Sequence, residues 1–295
     1  MTQNVLTWLM RLAVALALTV VVLGAYVRLS HAGLGCPDWP GCYGEMIVPG
    51  QIAPDMEAQH QRPLDHGKAW KEMVHRYAAG ALGLLIAGLA VISWKNRKQT
   101  GQPVLLAGLL VILVFFQAAL GMWTVTLLLK PAIVVAHLLG GMTILSLLAW
   151  LLLEQSGGNS QSHSPALFPW VVAALIMLAI QISLGGWTSA NYAALACLDF
   201  PVCQGQWWPP MDLAGGFTLM HKTGIDYEGG ILAGDARTAI HMAHRAGALL
   251  SFLIIGGTAL RAIFDSNTTL GRLGLLMLAA LMVQLFLGIA NVLLR

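Results

Sequence analysis

The chain has 295 residues, of which 57% are hydrophobic and only 10% are charged, and its mean hydropathy is +0.73. Soluble domains carry about 25% charged residues, so this composition excludes an ordinary water-soluble protein. The net charge of +3 comes without a basic run or a glycine-rich phosphate loop, so no nucleic acid or nucleotide ligand is expected. Seven apolar stretches reach the about 20 residues that a membrane-spanning helix needs. They lie at roughly 9–27, 73–94, 104–125, 133–153, 169–190, 242–264 and 273–294.

The seven stretches are predicted to be helices, because lipid offers an unpaired backbone no hydrogen-bond partners. The first stretch has too long an apolar core for a cleaved signal peptide and is expected to be retained. Lys and Arg residues in the short loops near 95–98 and 261–272 mark those loops as cytoplasmic. The N-terminus is then cytoplasmic too, and the two long loops, about 28–71 and 191–240, face outward.

The sequence contains two copies of one unit, which predicts two halves at 1–155 and 156–295. Each long loop carries the pattern Cys-x-Asp-aromatic-Pro-x-Cys, at 36–42 and again at 197–203. After each loop a span opens with His-Arg, and the odd-numbered spans end outward in Leu-Gly. The second half holds three spans. The repeat therefore predicts an eighth helix after residue 295, in preference to a protein that functions with seven.

Histidines within the spans are the first candidates for function, because ionisable residues are rare in membranes. His75 and His137 lie in the first turns of spans that enter from outside, and His244 opens the sixth span in the same way. Facing imidazoles in a helix bundle can hold a haem iron at both axial positions. Alternatively, each histidine bonds a helix carbonyl and packs between spans. The repeat favours the haem interpretation. No role is assigned to His31, His60, His66, His163 and His221.

Charged residues adjoin two of these histidines. Arg76 and Arg245 each follow a histidine and suit either the carboxylates of haem propionates or lipid headgroups. Glu72 precedes His75 by three residues, so both share one helix face, and a carboxylate there can exchange protons during an oxidation. The alternative is a solvated acid at a helix start, where the helix dipole favours an anion. The counterpart of Glu72 is His241, which indicates that the first half does the chemistry and the second serves as a relay.

The four cysteines form two pairs in the outward loops, where an oxidising compartment permits disulfides. A disulfide within each pair is favoured over redox-active thiols, and the spacing is unlike that of structural zinc sites. The pairs are Cys36 with Cys42 and Cys197 with Cys203. A Gln-x-x-Leu-Gly motif recurs in three odd-numbered spans, and its glutamine is expected to bond across helices rather than to touch a porphyrin edge. These glutamines are Gln117, Gln181 and Gln284.

With these residues assembled, the chain resembles the haem A synthase family of bacteria and mitochondria. The matching motifs occur in the family's order: 24–29, 35–40, Glu72-x-x-His75-Arg76, His137 and His244-Arg245. The resemblance implies an all-α polytopic protein of the bacterial cytoplasmic membrane, with two pseudo-symmetric four-helix bundles, the second lacking its eighth helix in this chain. It also implies an oxidoreductase that converts a methyl group of haem O to a formyl group, giving haem A for terminal oxidases.

The resemblance assigns roles by position. Glu72 would be the catalytic carboxylate, and His75 and His137 would ligate the iron of the substrate haem O. His244 would be one axial ligand of a haem b cofactor, whose other ligand the family places in the eighth helix. Both cysteine pairs match pairs found in the family. Expected partners are membrane lipid, a haem O synthase and the assembly pathway of a terminal oxidase, with the electron acceptor left open.

Two other functions fit parts of the pattern. A di-haem electron-transfer cytochrome with a quinone partner would use the histidines but would not need Glu72. A membrane thiol-disulfide oxidoreductase would use the cysteines but would need no histidine within its spans. A purely structural assembly factor accounts for neither the histidine spacing nor the repeat.

Overall fold

The computed structural model describes residues 2–52, 56, 62–99, 101–155, 164–219 and 222–294. Within them, seven helices are long and apolar enough to cross a membrane, which confirms the all-α fold with seven spans. In chain order they are α1 Thr2–Leu29, α2 His66–Lys95, α3 Val104–Thr126, α4 Pro131–Gln155, α5 Phe168–Ala190, α6 Gly234–Ile263 and α7 Thr268–Leu293. A single helical turn, Leu213–Gly216, lies in the second long loop.

Several helices begin earlier than the hydropathy pattern predicts, among them the two that follow the long loops. Helix α2 starts at His66 instead of near residue 73, because the Asp65 side chain accepts a hydrogen bond from Lys68 N and caps it. Helix α6 starts at Gly234 instead of near 242. The added turns contain polar residues that give no apolar signal. His75 therefore lies nine residues, or about 14 Å, inside α2.

The first compact unit consists of Met1–Asn159 and Lys222–Glu228. Its four helices form a closed ring, in which α1 packs on α2 and α4, and α3 packs on α2 and α4. The buried core fills the half of the ring near the start of α1, with Leu6, Met10, Ile86, Leu89, Leu148 and Leu151 among its members. At the opposite level no side chain of 18–26, 74–81 or 132–143 is buried. The level that contains His75 and His137 is therefore the less densely filled one.

The second compact unit consists of Ser160–His221 and Gly229–Arg295. Helix α6 packs on α5, on α7 and on the turn at Leu213–Gly216. Trp187 Nε1 donates a hydrogen bond of 2.8 Å to Gly216 O, which ties this turn to α5. The boundary expected near 155 adjoins residues 156–163, which lie outside the described part of the chain. The roles given to the two halves stay predictions.

The two cysteine loops have the same conformation, and both predicted disulfides are present. The Sγ atoms are 2.02 Å apart in Cys36–Cys42 and 2.04 Å apart in Cys197–Cys203. In each loop the aspartate between the cysteines accepts two main-chain N–H bonds: Asp38 from Tyr43 and Gly44, and Asp199 from Gln204 and Gly205. The Gly205 N–H is the main reason that the pKa of Asp199 is lowered. The repeated Asp thus fixes the turn that follows it.

The segment Lys222–Glu228, called the strap here, belongs to the first unit although it comes from the second long loop. Tyr227 is 2% exposed, and its main-chain N–H donates to Leu128 O at 3.1 Å. Arg62 forms ion pairs with Asp226 and with Glu228, the latter at 2.7 Å. Tyr227 packs with Leu34, Val125 and Leu129. Hydropathy gave no indication of this segment's position.

We expect the Arg62→Ala variant to loosen the strap. Burial raises the pKa of Glu228, but the hydrogen bond and charge of Arg62 outweigh burial and leave that pKa lowered. The ion pair therefore stabilises the strap fully at pH values above the ordinary glutamate pKa of about 4.3. This stabilisation is lost as the pH falls through the lowered pKa of Glu228 in the folded protein. Partly exposed pairs are worth about 0.2–1 kcal/mol each, and the variant loses two of them, so trypsin near neutral pH should cut at Lys222 about two- to thirtyfold faster.

The Lys68→Ala variant is the matched control for the strap. Lys68 Nζ lies 3.5 Å from Glu228 and its side chain is 39% exposed, so its removal should change the cleavage rate less. Cleavage of Arg62→Ala at the wild-type rate would contradict the role given to Arg62.

Candidate functional site

His75 on α2 and His137 on α4 belong to the same four-helix ring. Both residues are half-buried. Within the described residues, Nδ1 of each ring is buried without a hydrogen-bond partner. Buried polar atoms are normally paired, so these nitrogens need an explanation. Each ring also lies near a main-chain carbonyl of the neighbouring helix, that of Val20 or of Gln117, so the carbonyl alternative stays open beside the ligand interpretation.

The Leu-Gly motif at the end of the odd-numbered spans makes room for these rings. At each glycine, an added Cβ would lie 3.0–3.3 Å from the Cε1 atom of a histidine on another helix. The pairs are Gly24 with His75, Gly121 with His137, and Gly185 with His244. Gly288 of α7 carries the same motif, and a Cβ there would meet nothing within 4 Å among the described atoms. The glycines thus set where each imidazole packs.

Glu72 is 4% exposed, which excludes the alternative of a solvated acid at a helix start. Its Oε1 accepts a hydrogen bond of 2.5 Å from Arg76 Nη2, and its Oε2 accepts one of 3.0 Å from Cys36 N. A buried carboxylate needs such partners to remain charged. Glu72 is therefore connected to the disulfide loop and shares a helix face with His75.

The arginines after the histidines hold the disulfide loops. Arg76 Nη1 donates to three loop carbonyls, those of Asp38, Pro40 and Gly41, at 2.6–3.2 Å. Arg245 repeats this with the carbonyls of Cys197, Asp199 and Val202 at 2.7–3.4 Å. The rigid fork of the guanidinium suits several acceptors at once. The role of the arginines in holding the disulfide loops was not predicted from the sequence, although each His-Arg pair accompanies a cysteine loop. The suggested contacts with haem propionates stay predictions.

The second unit replaces the Glu72 arrangement with a histidine. His241 is 4% exposed, and its Nδ1 lies 3.0 Å from Ala193 O. His244, one turn further on, has Nδ1 at 3.1 Å from Gln181 Nε2. The chemical difference between the halves therefore persists in their contacts, because one unit places a carboxylate beside its histidine and the other places an imidazole.

Five further histidines were given no role. His31 lies just after α1, and His66 begins α2, while His60, His163 and His221 lie outside the described residues. Among the described residues, no group of three or more His, Cys, Asp or Glu side chains is placed to hold a metal ion. Paired histidines without further ligands suit a metal that brings its own equatorial ligands, as the iron of a haem does.

Comparison with known proteins gives the family. The family model COX15-CtaA, described as cytochrome oxidase assembly protein, matches residues 7–295. The chain is 44% identical to a haem A synthase of Shewanella oneidensis over 97% of this chain and 87% of that protein. It is 31% identical to a haem A synthase of Shouchella clausii, over 70% of this chain and 66% of that protein. The resemblance predicted from the motifs is confirmed, and the chain belongs to the COX15-CtaA family of cytochrome oxidase assembly proteins.

Proposed function

We propose that the chain is a haem A synthase, a membrane oxidoreductase that converts a methyl group of haem O to a formyl group. The observation that carries the proposal is the buried Glu72, three residues before His75, in a unit that also contains His137. The close similarity to a protein of that name supports it. Haem O is very hydrophobic, so a site among membrane-spanning helices spares the substrate a transfer into water.

The first unit is the proposed substrate site, with His75 and His137 as the axial ligands of the haem O iron. Three features support the fit. Each ring has a buried nitrogen without a partner, Gly24 and Gly121 allow the rings a close approach, and this level of the helix ring contains few buried side chains. Four-helix units commonly hold such groups between facing helices.

Glu72 is the proposed catalytic carboxylate, which accepts protons as the methyl group is oxidised. General acid–base groups must be positioned before they act. Arg76 and the Cys36 N–H hold one carboxylate oxygen each. The disulfide loop therefore determines where this carboxylate points, and Arg76 is assigned the role of positioning residue.

The second unit is proposed to hold a haem b through His244, which Gly185 and Gln181 contact. When bound, haem b supplies one-electron transfer. Contacts of Arg76 and Arg245 with haem propionates belong to the same proposal. We further propose that both cysteine loops face the oxidising side of the bacterial cytoplasmic membrane, because disulfides persist there. A haem O synthase and a terminal oxidase assembly pathway are the proposed partners.

The pigments bound to the purified protein test this function. A haem A synthase made in a host that supplies haem O should retain haem O or haem A in addition to haem b. A di-haem electron-transfer cytochrome would contain haem b without either of the other two. Purified protein that contains haem b as its sole pigment would therefore contradict the proposal.

We expect the Gly24→Ala and Gly121→Ala variants to lose haem O. The new methyl group would lie 3.0 or 3.2 Å from a histidine Cε1, so the ring must move. Gly108→Ala on α3 is the matched control, since nothing lies within 4 Å of that Cβ among the described atoms. In a helix Ala is favoured over Gly by about 1 kcal/mol, so the control should be neutral or slightly stabilising. Equal haem O content in all three variants would contradict the role of these glycines.

A further inference from the structure

Two glutamines contact two of the three histidines in the same way. Gln117 Nε2 donates a hydrogen bond of 2.7 Å to the main-chain O of His137. Gln181 Nε2 donates one of 3.2 Å to the main-chain O of His244 and lies 3.1 Å from its Nδ1. Each glutamine lies four residues before the glycine that faces the imidazole, so it occupies the same face of its helix.

Each glutamine side chain fits because the facing helix has a glycine at a fixed position. A Cβ at Gly140 would overlap Gln117 Oε1, and a Cβ at Gly247 would overlap Gln181 Oε1. Gly140 and Gly247 each follow the contacted histidine by three residues. We call this arrangement of a glutamine, its facing glycine and the bonded histidine carbonyl the glutamine clamp.

His75 has no glutamine clamp, because the two positions that correspond to the glutamine and to its facing glycine both carry other residues. Val20 stands four residues before Gly24 where the clamp has a glutamine, and Ala78 follows His75 by three residues where the clamp has a glycine. The rings themselves are placed alike, since His75 lies near the main-chain carbonyl of Val20 as His137 lies near that of Gln117. The difference between the two sites is therefore the side chain, which in valine offers no hydrogen-bonding group.

The glutamine clamp also leaves an unpaired acceptor, because Gln117 Oε1 lies against Gly140 without a hydrogen-bond partner in the described part of the chain. A histidine that binds a metal through one nitrogen donates from the other, and its partner fixes the orientation of the ring. Gln117 Oε1 and His137 Nδ1 are both buried without partners in the described part of the chain. Gln117 thus restrains His137 through the main-chain carbonyl of that residue, whereas Val20 cannot restrain His75 in this way.

We propose that His75 is the exchangeable axial ligand of the substrate haem and that His137 is the retained one, with Gln117 as its positioning residue. This inference rests on the proposed function. A haem held by two imidazoles leaves only after both iron–nitrogen bonds have opened, and the bond to the less restrained ring opens first. The ring without a clamp is the less restrained of the two. It is also the ring beside Glu72, so its release opens the side of the site where the carboxylate lies.

Haem retention in two single variants tests the order of release. After purification from a host that makes haem O, His75→Ala should keep haem O, with the absorption spectrum of a five-coordinate, high-spin iron. His137→Ala should keep at least about tenfold less, since partners of metal ligands commonly contribute 10- to 100-fold to affinity. Equal retention, or better retention in His137→Ala, would overturn the inference. A wild-type protein that binds no haem O would instead contradict the proposed function.

Transfer of the clamp gives a second test that does not remove a ligand. In the double variant Val20→Gln with Ala78→Gly, His75 acquires both parts of the clamp. Carbon monoxide should then bind the reduced haem O of this variant about tenfold more slowly than in wild type. Gly88→Ala on α2, where an added Cβ would meet nothing within 4 Å among the described atoms, is the control and should leave this rate unchanged. An unchanged rate after the clamp is installed at His75 would overturn the proposal.

Discussion

The Glu72→Gln variant should bind haem O but convert little of it to haem A. The substitution keeps the size of the side chain but removes the group that accepts protons, and such groups contribute about a hundredfold to ten-thousandfold to a rate. The ratio of haem A to haem O in membranes of the producing host should fall by a similar factor. The iron ligands His75 and His137 are unchanged, so haem O should accumulate in the purified variant.

Glu45→Gln is the control for this variant. Glu45 lies in the same disulfide loop, and its main chain bonds that of Cys42 while the residue is exposed. Its substitution should leave the pigment ratio at the wild-type value. If Glu72→Gln also formed haem A at the wild-type rate, the carboxylate would have no catalytic role, and an electron-transfer cytochrome would become the better interpretation.

The Arg76→Ala variant should strongly destabilise the first disulfide loop, which Arg76 holds from α2. The Arg76 and Glu72 side chains are only 12% and 5% exposed, and removing one partner of a buried ion pair costs about 3–5 kcal/mol. Three loop carbonyls lose their donor in addition. We expect a clear fall in the thermal unfolding midpoint of the purified protein, together with loss of haem A formation because Glu72 is no longer held.

The repeat supplies a matched comparison in Arg245→Ala. Arg245 holds the equivalent loop through carbonyls, but the residue one turn before it is His241 instead of a glutamate. Without a buried carboxylate left unpaired, the cost should be about 1–3 kcal/mol. Arg76→Lys keeps the charge opposite Glu72 without the fork and should be intermediate. Equal destabilisation by the two alanine variants would show that the ion pair with Glu72 contributes nothing measurable.

The sequence predicted those features that depend on periodicity and on the repeat. The seven spans follow from apolar length, and both disulfides follow from the paired Cys-x-Asp-aromatic-Pro-x-Cys loops. Placement of His75 and His137 in one unit also follows, because both belong to the first copy of the repeat. The starts of α2 and α6 were predicted too late, because capping and polar first turns extend a helix without adding hydrophobicity.

Contacts between distant side chains could not be predicted from one sequence. The role of Arg76 depends on how the loop folds back over α2, which no local pattern encodes. The strap likewise depends on Arg62 and on Tyr227, which are far apart in the chain. The pairing of Gln117 with Gly140 was within reach, since the same two residue types recur as Gln181 and Gly247, but its meaning required the geometry.

Conversion of haem O in cells tests the central claim most directly. The chain would be produced in a host that makes haem O and has no haem A synthase of its own, and the pigments of its membranes would be separated and identified. We expect haem A to appear with the wild-type chain and to be strongly reduced with Glu72→Gln. Membranes that contain the folded, haem-loaded wild-type protein but only haem O would contradict the assignment.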